Sequence, residues 1–273
     1  MTYANYYKVW ATVLTAILAS ILLSVVAFTA DAGALEQSLA GKTVVIDPGH
    51  GGSDVGATYT FSAEKKLHEK NQNLDVAYRL KGLLQSSGAT VYMTRGGDLT
   101  NTTGDPLVKD RGDDCNPDDA TLSNSARYGC ANKLKAAHPG TYVLVSIHMN
   151  GSTDQTVDYT TTLFGKWQKD KELAYAVFGD NVNQLKNQPS YGLRTLSAVN
   201  GNGTTWGTIA TKTPYSFASG VLLKSNMPAT IAETVFITNT NEAVELADPT
   251  TYGRQQQIAE ALKKGIEHYF STH

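Results

Sequence analysis

VVIDPGHGGSDVGA, from Val44 to Ala57, is the stretch on which the reading of the whole chain turns. A β-branched apolar run breaks off in Asp47, Pro48, Gly49 and His50, and two further glycines follow. Such a run has the composition of a strand buried on both faces. His50 is therefore carried past a strand end, in a turn with unusual backbone freedom. Two chemistries use a loop of this kind, a phosphate cradle and a metal ligand. A nucleotide loop sets its glycines directly before a helix whose N-terminus faces the phosphate. Here helical periodicity starts only about twenty residues later. The glycine spacing is not that of a dinucleotide fold, and no Gly-Lys-Ser/Thr ending follows. The metal reading is the one that stands.

Downstream of this stretch, strand and helix patterns alternate. Leu74, Ala77, Leu80 and Leu84 recur at helical spacing, with Gly88 placed where a helix stops. Short apolar runs predict strands at Thr43–Asp47, Thr90–Thr94, Tyr142–Ile147, Val221–Ser225 and Ala229–Phe236, and alternation predicts another at Val157–Phe164. Helices are predicted from Ser123 to Ala137, with a Ser or Asn cap, and from Asp170 to Leu185. A closing amphipathic helix is marked by Ile258, Leu262, Ile266 and Tyr269. The alternation implies an α/β fold: a single domain with a twisted, mostly parallel or mixed sheet of about six strands flanked by helices. Ligands in such folds gather at the carboxyl ends of the strands. Two long loops, Gly96–Leu122 and Lys186–Gly220, have the length of functional loops.

The chain has 273 residues and a net charge of −2, and it carries no block of Lys and Arg. Nucleic acid is thereby excluded as a main partner. Val9–Ala30 is apolar or small throughout, with Lys8 before it and ADAGA overlapping its end. Residues 1–32 read as a signal peptide cut after Ala32 or as a retained N-terminal membrane anchor. Residues 33–41 follow as a linker, and 42–273 as the folded domain. In both cases that domain lies outside the cytoplasm. There a disulfide between Cys115 and Cys130, the two cysteines present, is expected and would persist. Two cysteines do not make a four-cysteine zinc site.

The metal reading of His50 gains a second imidazole in VSIHMN, which sets His148 after another buried strand. If the two strands are neighbours, both rings emerge at one sheet edge. Glu69 opens the helix that begins EKNQNL, and Glu233 lies inside the apolar run ATIAETVF. Asp47 and Glu233 are the odd residues of their strands, because an unpartnered buried carboxylate is costly. Two imidazoles and a carboxylate with an open fourth position form the catalytic zinc pattern, and a further carboxylate can move the proton. Asp47 either steadies a ligand or caps a strand end.

Five stretches in order, VVIDPGHGGSDVGA, EKNQNLDVAYRLKGLLQSSGATVYMTRGGD, RYGCAN, VLVSIHMNGS and PATIAETVFITNTNEAVEL, resemble the zinc-dependent N-acetylmuramoyl-L-alanine amidases of the amidase-3 type. The resemblance runs from about Lys42 to the C-terminus. It implies Zn2+ as cofactor, with His50, Glu69 and His148 as its ligands and Glu233 as the catalytic glutamate. The implied substrate is peptidoglycan, cut between the lactyl group of N-acetylmuramic acid and the L-alanine of the stem peptide. Glu64 competes for the carboxylate ligand, and Asn73, Leu74 and Ala77 favour Glu69. His68 is expected to be a solvated helix-start residue. Arg127 and Asn132 match the family and fix loops and helix ends, or serve the chemistry. A monomer is expected, and no activator protein is identified. Departures are the long 101–122 segment with Cys115, Met149 after His148, and TNTNE after Ile237. A different zinc peptidase on wall peptides, or a non-catalytic wall-binding protein, are the alternative functions.

Overall fold

The longest strand, TYVLVSIHMN, has no solvent-facing side in its middle: Val143, Leu144, Val145 and Ile147 are all inaccessible. A strand covered on both faces belongs in the centre of a layered α/β domain. The computed structural model describes residues 38–98, 109–110, 123–180, 191–199, 205–248 and 253–273. The expected signal or anchor, most of the two long loops, and Cys115 lie outside the described residues. No described helix is long and apolar enough to cross a membrane.

The strands are β1 (Lys42–Pro48), β2 (Thr58–Thr60), β3 (Lys66–His68), β4 (Thr90–Met93), β5 (Gly97–Asp98), β6 (Lys109–Asp110), β7 (Thr141–Asn150), β8 (Thr161–Phe164), β9 (Ala198–Val199), β10 (Thr205–Trp206), β11 (Tyr215–Ser216) and β12 (Ala229–Phe236). The helices are α1 (Glu69–Ser86), α2 (Asn124–Ala137), α3 (Gln168–Phe178), α4 (Gly220–Lys224), α5 (Thr240–Leu246) and α6 (Arg254–Thr272). The main sheet has six strands in the order β11-β8-β12-β7-β1-β4. β4, β1, β7 and β12 run parallel, and β8 turns antiparallel to β12 with β11 parallel to β8. The mixed, six-stranded sheet matches the expectation from sequence. The minor ladders are β2–β3, β5–β6 and β9–β10.

Two apolar layers enclose the sheet. On one face Val44, Ile46, Val143 and Val145 pack with Leu74 and Leu80 of α1, Leu173 of α3, and Ile258 and Leu262 of α6. On the other, Val45, Leu144, Leu163 and Ile231 pack with Ala131 of α2 and Val221 and Leu222 of α4. Each fully buried aliphatic side chain contributes about 1.5–3 kcal/mol, which is why the apolar runs dominate the pattern. Leu39 also sits in the first layer, with its N–H donating to Ser87 O at 2.9 Å.

Three expectations need correction. Val221–Ser225 is not a strand; it lies in the helical turn α4, where Leu223 N donates to Ser219 O at 2.8 Å. β11 already occupies the free edge of β8, and a short apolar run does not by itself distinguish strand from buried helix. The strand expected over Val157–Phe164 starts only at Thr161; before it the chain forms no ladder, and the Asp158 carboxylate accepts from Phe236 N. The helix expected to reach Leu185 stops at Phe178, followed by Gly179 in the left-handed conformation at φ 103°. The β2–β3 hairpin and α5, capped by Asn239 Oδ1 on Asn241 N and Glu242 N, are further elements.

Candidate active site

β1 and β7 are hydrogen-bonded neighbours with Pro48 opposite Ile147, so His50 and His148 leave the same sheet edge. Their rings stand edge to face with centroids 4.9 Å apart. Glu69, the first residue of α1, inserts its carboxylate between them. Oε2 is 3.1 Å from His50 Nε2, and Oε1 is 3.2 Å from His148 Nδ1. One ligand atom from each residue lies within 4.8 Å of the others, so the group could hold a metal ion. Ligands about 2.1 Å from a tetrahedral ion stand about 3.4 Å from one another, close to the two carboxylate–imidazole separations. The donor set of two nitrogens and one oxygen also suits a borderline-soft divalent cation.

Glu69 is held with little freedom. It accepts from Ala57 N at 2.8 Å, Met149 N at 2.9 Å and Asn73 Nδ2 at 3.1 Å. Burial opposes its charge, but the imidazoles of His148 and His50 hold the carboxyl well below the usual range. Two glycines create the room. A Cβ on Gly49 would stand 2.3 Å from His148 Cε1, and one on Gly56 would stand 2.5 Å from Glu69 Oε2.

His50 has φ 62°, a left-handed conformation uncommon outside glycine. The loop keeps it there through two buried arginines. Arg127 donates to Pro48 O at 2.8 Å and to His50 O at 2.6 Å. Arg95 donates to Pro48 O and Gly49 O, both at 3.0 Å, and to Lys70 O at 2.8 Å. Asp47 anchors Arg127 at 2.7 Å and also accepts from Thr94 and Ser146. Burial works against its charge, yet Arg127 and the two hydroxyls hold its carboxyl below the ordinary value. Asp47 thus steadies the loop rather than touching the His–Glu–His group. On the outer side Asp54 Oδ2 lies 2.9 Å from His50 Nδ1. A proton on Nδ1 would leave the Nε2 lone pair for a cation seated between it and Glu69.

Glu233 pairs with His148 on β7 and with Thr161 on β8. Paired residues of adjacent strands project on the same face, so its carboxyl lies on the His148 side of the sheet. Burial pushes its pKa up; His148 pulls the other way and Glu69 adds to the rise. A carboxyl raised toward neutrality is suited to accepting and returning a proton.

The remaining candidates separate from this group. Glu64 is exposed in the hairpin turn, bonded to Ser62 Oγ at 3.0 Å. His68 is half-buried rather than fully solvated, with Nδ1 3.2 Å from Thr58 Oγ1. Asn132 bridges Lys224 O and Asn226 N, tying α2 to the turn before β12. Cys130, in α2, is disulfide-bonded. Sequence reasoning missed Asp54 and Arg95. Asp54 falls four residues after His50 in the glycine-rich loop, and Arg95 ends a strand pattern, but neither spacing announces its partner.

Residues 44–268 match the N-acetylmuramoyl-L-alanine amidase family of the amidase-3 type, and the chain belongs to that family. A germination-specific N-acetylmuramoyl-L-alanine amidase of Bacillus subtilis (strain 168) is 28% identical over 238 residues, which are 85% of this chain and 81% of that protein. A probable cell wall amidase, LytH, of Staphylococcus epidermidis is 28% identical over 243 residues, 89% of this chain but 63% of the relative. The crystal structure of an N-acetylmuramoyl-L-alanine amidase from Clostridium difficile 630 superposes with a TM-score of 0.59 at 25% identity, covering 85% of this chain and 98% of that one.

Proposed function

We propose that this chain, acting outside the cytoplasm, hydrolyses the peptidoglycan amide that joins the lactyl group of N-acetylmuramic acid to the L-alanine of the stem peptide. The observation that carries the reading is the convergence of His50, Glu69 and His148 beside Glu233, in a chain of the amidase family. His50 Nε2, the Glu69 carboxylate and the His148 ring would hold Zn2+. When bound, zinc brings the pKa of a coordinated water toward about 7 and polarises a carbonyl. Glu233 takes the proton of the attacking water and hands it to the departing alanine nitrogen. Asp54 keeps the His50 proton on Nδ1, and Arg127 with Arg95 keeps the loop from relaxing out of its left-handed turn. Residues 1–32 serve as export signal or anchor, in keeping with relatives named for the cell wall.

The test is digestion of purified wall by the metal-loaded protein, with mass spectra of the fragments and metal analysis of the same sample. A free lactyl carboxyl beside an intact stem peptide is the expected product, with one zinc per chain. Cleavage within the peptide would point to a peptidase, and zinc-loaded protein that leaves wall intact would refute the activity.

A further inference from the structure

Lys212 is an exposed cation held in place by aromatic faces. Its Nζ lies 5.6 Å from the ring centroid of Tyr159 and 5.0 Å from that of Tyr215. Tyr159 is itself braced edge to face on Phe236 at 4.6 Å. Stacked lysines often do no more than cover ring surface with their methylenes. Two features set this one apart. Among the described residues Lys212 has no carboxylate partner, although two rings order its ammonium. Its backbone also joins the outer edge of β8, across that strand from Glu233.

The register places it. Lys212 N donates to Thr160 O at 3.0 Å, and the next residue, Thr161, is paired with Glu233. Tyr215 is paired with Leu163, and Leu163 with Ile231, two residues before Glu233. Paired residues share a face, and so do residues two apart in one strand. Tyr215 therefore projects on the same side of the sheet as Glu233 and His148. Lys212 stands two interstrand spacings from Glu233, roughly 10 Å, which an extended peptide crosses in about three residues. A substrate whose scissile amide lies at Glu233 and whose peptide runs toward β11 would bring its second or third residue to Lys212.

We propose that Lys212, seated between Tyr159 and Tyr215, binds a carboxylate on the second or third residue of the stem peptide and so distinguishes that carboxylate from a carboxamide. The assignment rests on the amidase reading and adds the substrate feature that the site selects. The rings fix the ammonium before substrate arrives, which lowers the ordering cost of the contact.

The test uses soluble muramyl tripeptides with a free side-chain carboxyl at the second residue, at the third, or carboxamides at both. The zinc-loaded wild type is expected to favour one carboxyl form by roughly tenfold in kcat/KM, through KM with kcat unchanged. Lys212→Met should abolish the preference while leaving turnover of the carboxamide intact, and Lys212→Arg should keep it. No preference in the wild type, or a preference that survives Lys212→Met, would overturn the assignment. The same peptides titrated into zinc-loaded Glu233→Gln protein by NMR report selectivity without turnover. If the wild type hydrolyses none of them, the amidase reading fails, while the titration still decides the role of Lys212.

Discussion

Arg127 Nη1 lies 2.7 Å from Asp47 Oδ1, an ion pair that joins α2 to the end of β1 with both side chains out of solvent. The same guanidinium reaches His50 O, so a single buried charge fixes the strand end and the histidine two residues beyond the strand. Breaking such a pair strands an uncompensated charge, which costs far more than any surface ion pair contributes. Arg127→Met should accordingly destabilise the fold by about 3–5 kcal/mol and weaken zinc binding. Arg127→Lys keeps the charge but cannot fork to both Asp47 and His50 O. It should recover most of the stability and less of the metal affinity. Denaturant unfolding and zinc titration of both variants check this. Metal affinity unchanged in both would mean that the loop holds His50 without Arg127.

Asp54 bonds the far side of His50 and is half exposed, so removing its charge should spare the fold. Asp54→Asn can still offer an oxygen to Nδ1–H, but without the charge that makes the ring a better donor. Loss of a carboxylate behind a ligating histidine typically weakens a metal about 10–100-fold. Competition against a chromophoric chelator measures it, with Tm read alongside. A large fall in Tm with no change in affinity would reassign Asp54 to a structural role.

In the proposed mechanism Glu233 moves a proton and does not ligate. Glu233→Gln should keep one zinc per chain and lose about 10²–10⁴ in kcat. Product release from a muramyl peptide, with metal content on the same preparation, gives both quantities. Near wild-type turnover would exclude Glu233 from the chemistry.

Gly49 does not adopt a positive φ, so its backbone tolerates alanine, yet the added Cβ would meet the His148 ring at 2.3 Å. Gly49→Ala should therefore displace the imidazole more than it unsettles the fold. Zinc affinity should drop at least about tenfold while Tm changes little, since reduced freedom of the unfolded chain offsets about 0.4–1 kcal/mol. Unchanged affinity would show that His148 has room to move.

Asp158 lies in the irregular segment between β7 and β8, and burial together with the Glu242 charge pushes its carboxyl up to about 7. A raised folded pKa means the native state binds the extra proton between about 4 and 7. The stability it contributes is full below the unfolded value near 3.8 and is lost as pH rises through about 7. Asp158→Asn retains an acceptor for Phe236 N and has no proton to lose. The variant should thus gain Tm relative to wild type on going from pH 5 to pH 8. A Tm difference that does not change with pH would show that Asp158 is ionised throughout.

The mixed α/β layer and the four residues of the candidate site were legible because burial and chemistry leave opposite marks on one chain. β1, β7 and β12 are covered on both faces and so are mostly apolar; the ionisable residues Asp47, His50, His148 and Glu233 are conspicuous in or just after them, whereas Glu69 stood out through the family motif of the helix it opens. Short elements left no such mark. α4 reads as a strand because five apolar-rich residues carry no usable period, and the edge of β8 was assigned to β11 only by folding. The partners of the site were equally hidden. Asp54 and Arg95 act through the ring and backbone atoms they meet, and Arg127, though picked out by its motif, gave no sign of its partners; those meetings exist only after α1, α2 and β4 have packed around the end of β1. Sequence alone determined which groups are available and which segments must be inside. Tertiary structure decided which of them touch, because the direction of a side chain across a sheet edge is set by register and by packing from elements distant in the chain.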